Sequence, residues 1–266
     1  MFANLVPVTR ERHATQRIRP VERFEFARQF HVASLMMHEF VRATAFYPIV
    51  FIEEGDRSAF KPVALLGLEA SENLCVDAES AAWLPGAYIP GIIRRYPFAL
   101  ASTAVQGEFA ICVDEGANLL SDAEGMPLFN GEGAATETLE HVKRFLGELQ
   151  QMDTITQAFC DWVVRHDLLK PLNLRVRVGS DTRDIAGSHV INEERLDALS
   201  DQTFLEMRRL RYLGPIHAHL TSLAQIDRLV RLKETRAGIA GSANDSASRP
   251  RGARKTTGRP RSPRKA

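Results

Sequence analysis

Cysteine is scarce in this chain, and no two cysteines stand close enough to act together. Cys75, Cys112 and Cys160 are odd in number and widely spaced. Without a Cys-x-x-Cys pair, neither a zinc knuckle nor a thioredoxin-like redox pair is supported. Cys75 and Cys112 fall in apolar, strand-like runs, where free cysteine behaves as a small hydrophobe, so structural thiols in a reducing compartment are expected. Long apolar runs are missing too, and none approaches the ~20 residues of a membrane-spanning helix. The segment from Met1 to Arg12 lacks the apolar stretch of about 7–15 residues that a secretory signal needs. These absences predict a cytoplasmic chain, with signal-independent export left open.

Common catalytic signatures are absent as well. Neither Gly-x-x-x-x-Gly-Lys-Ser/Thr nor Gly-x-Gly-x-x-Gly occurs, so no phosphate cradle is indicated, and there is no Gly-x-Ser-x-Gly nucleophile elbow. The histidines form no His-Glu-x-x-His motif and no His-x-Asp/Glu start of a facial-triad iron site. His31 and His38 would share a face only on one continuous helix, and His217 and His219 point to different faces. His166 suits a helix C-terminus as a cation. No metal and no cofactor is therefore expected. The acidic pairs Glu53-Glu54 and Asp114-Glu115 sit at predicted strand ends, where neighbours face opposite ways, so surface placement is expected rather than a catalytic dyad.

The chain has 266 residues, 44% of them apolar and 25% charged. That is the composition of a soluble globular protein with room for one large domain or two small ones. Charge is unevenly divided. Residues 231–266 hold 11 Lys/Arg against two acids, a net of +9, which leaves residues 1–230 at −8. Beyond residue 236 Gly, Ala, Ser, Pro and Arg dominate and aromatics are absent. Such a segment cannot bury enough apolar surface to offset an ordering cost of about 1–2 kcal/mol per residue, so residues 237–266 are expected to form a disordered basic tail. Within it, Gly258-Arg-Pro-Arg261 resembles the core of an AT-hook, which enters the minor groove of A·T-rich DNA. Arg259, Arg261, Arg264 and Lys265 are the candidate nucleic-acid or polyanion contacts, favoured by counterion release. A solubilising extension and contact with anionic lipid or polysaccharide are the other readings.

Periodicity sketches the rest. Residues 24–32 alternate enough to be a strand, with a helix as the alternative, Ser34 can cap a short helix reaching residue 45, and residues 49–54, 62–68, 73–77 and 109–114 read as strands. Residues 114–133 read as a long loop. Val142, Phe145, Leu149, Met152, Ile155, Phe159 and Val163 recur at helical steps, predicting a helix from about residue 136 towards 169 with a bend or break near Asp153-Thr154. Residues 172–178 and 188–191 suit paired strands. Asn192 and Ser200 or Asp201 can cap two helices, Gly214-Pro215 ends the second, and a last helix spans about 216–236. The expectation is one α+β domain over residues 1–236, with a central, mostly antiparallel sheet and packed helices.

The most informative stretch is Tyr88-Ile-Pro-Gly-Ile-Ile-Arg-Arg-Tyr-Pro-Phe-Ala-Leu100. It places Arg94 and Arg95 among apolar residues with no acid nearby. A buried charge without its partner costs about 3–5 kcal/mol. The arginines therefore meet carboxylates from elsewhere, with Asp114 or Glu115 as candidates, or hold an anionic ligand, with Tyr96 adding a hydroxyl, or contact a partner. An internal ion pair that orients the sheet is the plainer reading.

Tyr47-Pro-Ile-Val-Phe, Val63-Ala-Leu-Leu-Gly-Leu, Glu72-Asn-Leu, Tyr88-Ile-Pro and Arg94-Arg-Tyr-Pro-Phe together resemble the SapC family of bacterial proteins. Asp114-Glu, Val142-Lys-Arg-Phe-Leu, Leu172-Asn-Leu, Asn192-Glu-Glu-Arg-Leu and Ala218-His-Leu agree with it. The resemblance covers roughly residues 1–230 and leaves the basic tail outside. It implies an accessory role in surface-layer or envelope assembly or export, with protein partners in such a system, and it carries over no catalytic residue. The rival readings are an enzyme or binding protein for a small anionic metabolite using Arg94, Arg95 and Tyr96, and a DNA-associated protein acting through its tail.

Overall fold

The computed structural model describes residues 1–55, 59–103, 107–178 and 181–247. The chain opens with strand β1 (Leu5–Pro7), the helical turn α1 (Arg10–His13) and the short strand β2 (Arg17–Ile18). Strand β3 (Val32–Ser34) leads through a 3-10 turn at Met37–Glu39 into α2 (Phe40–Ala43). Strands β4 (Ile49–Glu54) and β5 (Ala59–Leu65) follow, then the single-turn helix α3 (Gly91–Arg94) and strands β6 (Phe98–Ser102) and β7 (Phe109–Asp114). Two short strands, β8 (Leu120–Ser121) and β9 (Met126–Pro127), precede the long helix α4 (Glu137–Arg165). Strands β10 (Leu169–Val178) and β11 (Asp181–Ile191) come next. The chain then runs through α5 (Glu193–Asp197), α6 (Asp201–Arg209), α7 (Leu213–Ser222) and α8 (Ile226–Ala247).

The fold is α+β, and among the described residues the strands form three antiparallel sheets. The largest has the order β10-β11-β4-β5-β3, the second β1-β7-β6, and the smallest β8-β2-β9. One face of the large sheet packs Tyr47, Ile49 and Phe51 against Phe159 and Val163 of α4 and Ile216 of α7. Its other face places Val50, Val63 and Val190 under Leu229 of α8. A third cluster joins the small sheets to α4 through Ile18, Phe98, Val113, Leu128 and Leu146. The long helix thus spans two cores, and its two halves are buried against different sheets.

Several elements differ from the sequence expectation for identifiable reasons. Residues 24–31 do not pair as a strand, and β3 begins only at Val32: Glu25–Ala27 forms a 3-10 turn, and Phe24 and Phe26 spend their rings on Trp83 and Tyr96. Residues 73–77 contribute a single bridge, Val76 to Trp83. The segment 114–133 is not all loop, because it contains β8 and β9, which pair on either side of β2. Helix α4 is continuous through Asp153 and Thr154. Gly214 and Pro215 lie in the first turn of α7, where proline lacks an N–H that would have had no helical partner anyway. The expected last helix is divided, α7 ending at Ser222 and a 3-10 turn at Leu223–Gln225 leading into α8.

Helix α8 also runs past residue 236 to Ala247, so the first part of the expected tail is helical. Residues 248–266, with Arg259, Arg261, Arg264 and Lys265, lie outside the described residues. All three cysteines are buried and unpaired. Among the described residues, no helix is long and apolar enough to cross a membrane.

Candidate anion-binding cleft

Pro90 starts α3, and Gly91 lets its backbone come close to two neighbours. A Cβ at Gly91 would stand 2.9 Å from Leu149 Cδ2 and 3.3 Å from Glu39 Oε1. That approach allows Gly91 N–H to donate to Glu39 Oε1 at 2.7 Å, while Met36 N–H donates to Oε2 at 2.8 Å. Tyr88 Oη donates to the same Oε1 at 2.6 Å. Glu39 is 1% exposed, so a buried carboxylate sits at the centre of three donors. Burial and the Glu39 carboxylate push the Tyr88 hydroxyl up to about 12. The Tyr88 carbonyl is itself held by Tyr47 Oη at 2.5 Å.

Arg94 closes this network from outside. Its Nη2 donates to Tyr88 Oη at 3.2 Å and its Nε to the Ile89 carbonyl at 3.0 Å. Its guanidinium lies 5.5 Å from the Tyr88 ring centroid and 5.2 Å from that of Phe145. The side chain is exposed, with one flank on aromatic faces, and the Tyr88 hydroxyl links it by hydrogen bonds to Glu39.

Arg95 has no such partners among the described residues. It is half-buried, and its Nε is sealed from solvent with no hydrogen bond. Its guanidinium lies 5.5 Å from the Phe2 ring centroid, and no carboxylate among the described residues stands within ion-pairing distance. Burial lowers its pKa, against a weaker attraction from Asp153.

The two acids considered as partners are engaged elsewhere. Asp114 is 1% exposed rather than on the surface and accepts from the backbone N–H groups of Ala3, Asn4 and Gly116 at 3.0, 2.7 and 3.1 Å. It fastens the N-terminus to the end of β7. Glu115 takes Arg12 in a two-pronged pair at 2.5 and 2.6 Å, with His13 Nε2 at 3.5 Å. The internal ion pair that would orient the sheet is therefore absent for Arg94 and Arg95 among the described residues. Tyr96 is buried, its ring stacked 3.8 Å from Phe26 and its hydroxyl 3.5 Å from Asp114 Oδ2. Burial and Asp114 push that hydroxyl up to about 12. Its ring shapes a wall, and its hydroxyl faces Asp114.

Arg94, Arg95 and Tyr96 come together on one cleft of about 570 Å³. Ile18, Phe98, Val142, Phe145 and Leu146 give it apolar walls, and Arg19, Glu137 and His141 add polar groups. The volume lies within the roughly 300–1,000 Å³ typical of small-molecule sites. Arg19 has a partner in the Asn118 carbonyl and stands 3.9 Å from Glu124. His141 Nδ1 is 3.3 Å from Arg144 Nη2. Sequence reasoning had no route to Arg19 and His141, which topology brings from the residue after β2 and from α4. Glu39 carried a signal: an acid inside the apolar stretch Leu35 to Phe40, spaced to bond back to the Met36 N–H.

The fold is α+β, and the cleft is largely apolar and carries a half-buried arginine with no ion-pair partner among the described residues. The chain belongs to the SapC family, whose profile matches residues 8–229. No curated protein and no solved structure matches it.

Proposed function

We propose that this SapC-family protein binds a small anion in the cleft at Arg95, and that this binding serves an accessory role in cell-surface assembly or export. The second half of the proposal rests on the context the family resemblance implies. The first half rests on Arg95. A half-buried guanidinium with an unpartnered Nε on a cleft wall is costly to keep in a fold that gains nothing from it. Arg94, next to it, has two hydrogen bonds and two aromatic faces, so the fold does supply partners to an arginine where packing requires them. An external anion in the cleft can make charge-assisted bonds to the part of the Arg95 guanidinium that faces it and balance its charge, while the sealed Nε stays out of its reach.

The test is a series of thermal melts of the full chain, at constant ionic strength, with inorganic phosphate, acetate, citrate and alkyl carboxylates. A ligand that binds the folded state alone raises its apparent stability, by about 2.7 kcal/mol at a hundredfold excess over Kd. At least one anion should raise the melting temperature of the wild type and leave Arg95→Met unmoved. Equal shifts in both proteins, or no shift with any anion, would reject the reading.

A further inference from the structure

We propose that the anion is a singly charged amphiphile, an acyl or aryl carboxylate whose apolar body lies along the α4 wall of the cleft. This rests on the anion-binding reading above and adds the ligand's charge and shape.

The charge follows from counting which cations of the cleft are already balanced. Arg19 is held by the Asn118 carbonyl and faces Glu124 at 3.9 Å. Arg94 is coupled to the buried Glu39 carboxylate through Tyr88. That leaves Arg95, whose guanidinium has, among the described residues, no ion-pair or hydrogen-bond partner and only the weaker attraction of Asp153. One positive charge calls for one negative charge. A dianion would bring a second charge against apolar walls, where an unpaired charge is strongly disfavoured. Glu137, on the same lining, adds repulsion against it.

The shape follows from the walls. Ile18, Phe98 and Leu146 are already buried in the empty cleft, whereas Val142 and Phe145, also on its lining, are part-exposed and present the apolar surface a ligand can cover. Met126, at the rim, is 56% exposed, and a flexible thioether adapts to bodies of irregular outline. Phosphate, acetate or another small hydrophilic anion would satisfy Arg95 and leave these walls wet. A chain or ring attached to the carboxylate covers them and gains the transfer free energy of burying apolar surface.

Calorimetric titration of the full chain with octanoate, 4-phenylbutanoate, acetate, octanol and inorganic phosphate separates head from body. The two amphiphilic acids should bind at least tenfold more tightly than acetate, which has the head alone, and than octanol, which has the body alone. Arg95→Met should weaken octanoate about tenfold to a hundredfold, the worth of charge-assisted hydrogen bonds, and leave octanol unchanged. Val142→Trp, checked for folding by its melting temperature, should weaken octanoate and spare acetate. Acetate or phosphate binding as tightly as octanoate, and through Arg95, would overturn the amphiphile while the anion reading survived. Octanol matching octanoate, with neither sensitive to Arg95→Met, would overturn both. Failure of both amphiphilic acids to bind would overturn the amphiphile, and the wider anion series then decides the rest.

Discussion

Arg94 and Arg95 are adjacent in sequence, yet their surroundings diverge. Arg94 rests on two aromatic faces and a tyrosine hydroxyl that leads to Glu39, whereas Arg95 has a ring beside it and an Nε with no partner. Glu39 is the residue that holds this region together. Its removal strands Gly91 N–H, Met36 N–H and the Tyr88 hydroxyl, each a donor left without its acceptor. At about 1–3 kcal/mol per stranded buried group, Glu39→Ala should cost about 3 kcal/mol or more, read as a lowered urea midpoint with unchanged slope. A change under ~0.5 kcal/mol would mean the carboxylate is not a structural centre. The pair of arginines was legible in the sequence because no acid stands near them. Their partners were not, since Glu39 and Tyr88 become neighbours only when α3 folds back on the Met37–Glu39 turn.

Among the elements, α4 was the most legible, because its apolar residues recur at helical steps over its whole length. Its continuity was not. Thr156 Oγ1 donates to the Met152 carbonyl at 2.7 Å and accepts from Met37 N–H at 2.8 Å, tying the suspected break to the turn that carries Glu39. Helix α7 is joined to the large sheet by an analogous device. His219 is fully buried, its Nε2 accepts from Ile191 N–H at 3.1 Å, and its Nδ1 faces the Ile49 carbonyl at 2.8 Å. This fixes the neutral ring with its proton on Nδ1. Burial pushes its pKa down from 6.5 to about 4, only partly opposed by the bond to Ile49. Below pH 6.5 the unfolded chain takes up a proton that the folded ring refuses. The contribution is therefore complete above pH 6.5 and is lost as pH falls towards 4, a span worth about 3 kcal/mol. His219→Gln can keep both hydrogen bonds and does not titrate. Its stability should fall less steeply than that of the wild type between pH 6.5 and 4, measured by urea unfolding at each pH. Parallel profiles would show that His219 titrates normally.

At the scale of the whole molecule, composition and alternation were enough for the α+β class and the antiparallel sheets. They did not reveal that the strands divide among three sheets or that α4 spans two cores. Those features depend on which faces meet, and the short strands β2, β8 and β9 carry too few residues for a periodic signal. The cleft is a product of that division. It opens where β6 of one small sheet, β2 of another and the first turns of α4 come together, with Arg95 carried in from the α3 end.

The central claim is that Arg95 is maintained for an external anion rather than for the fold. Its most direct test is the free energy of unfolding of Arg95→Met against the wild type, by urea titration in a buffer without candidate ligands. An internal partner would make the substitution cost about 3–5 kcal/mol, because a buried acid would be left stranded. The account predicts instead that the substitution is neutral, within ~0.5 kcal/mol, or stabilising, because it removes a half-buried charge without a partner. A loss of about 3 kcal/mol or more would contradict it, and would show that Arg95 is held by the protein itself.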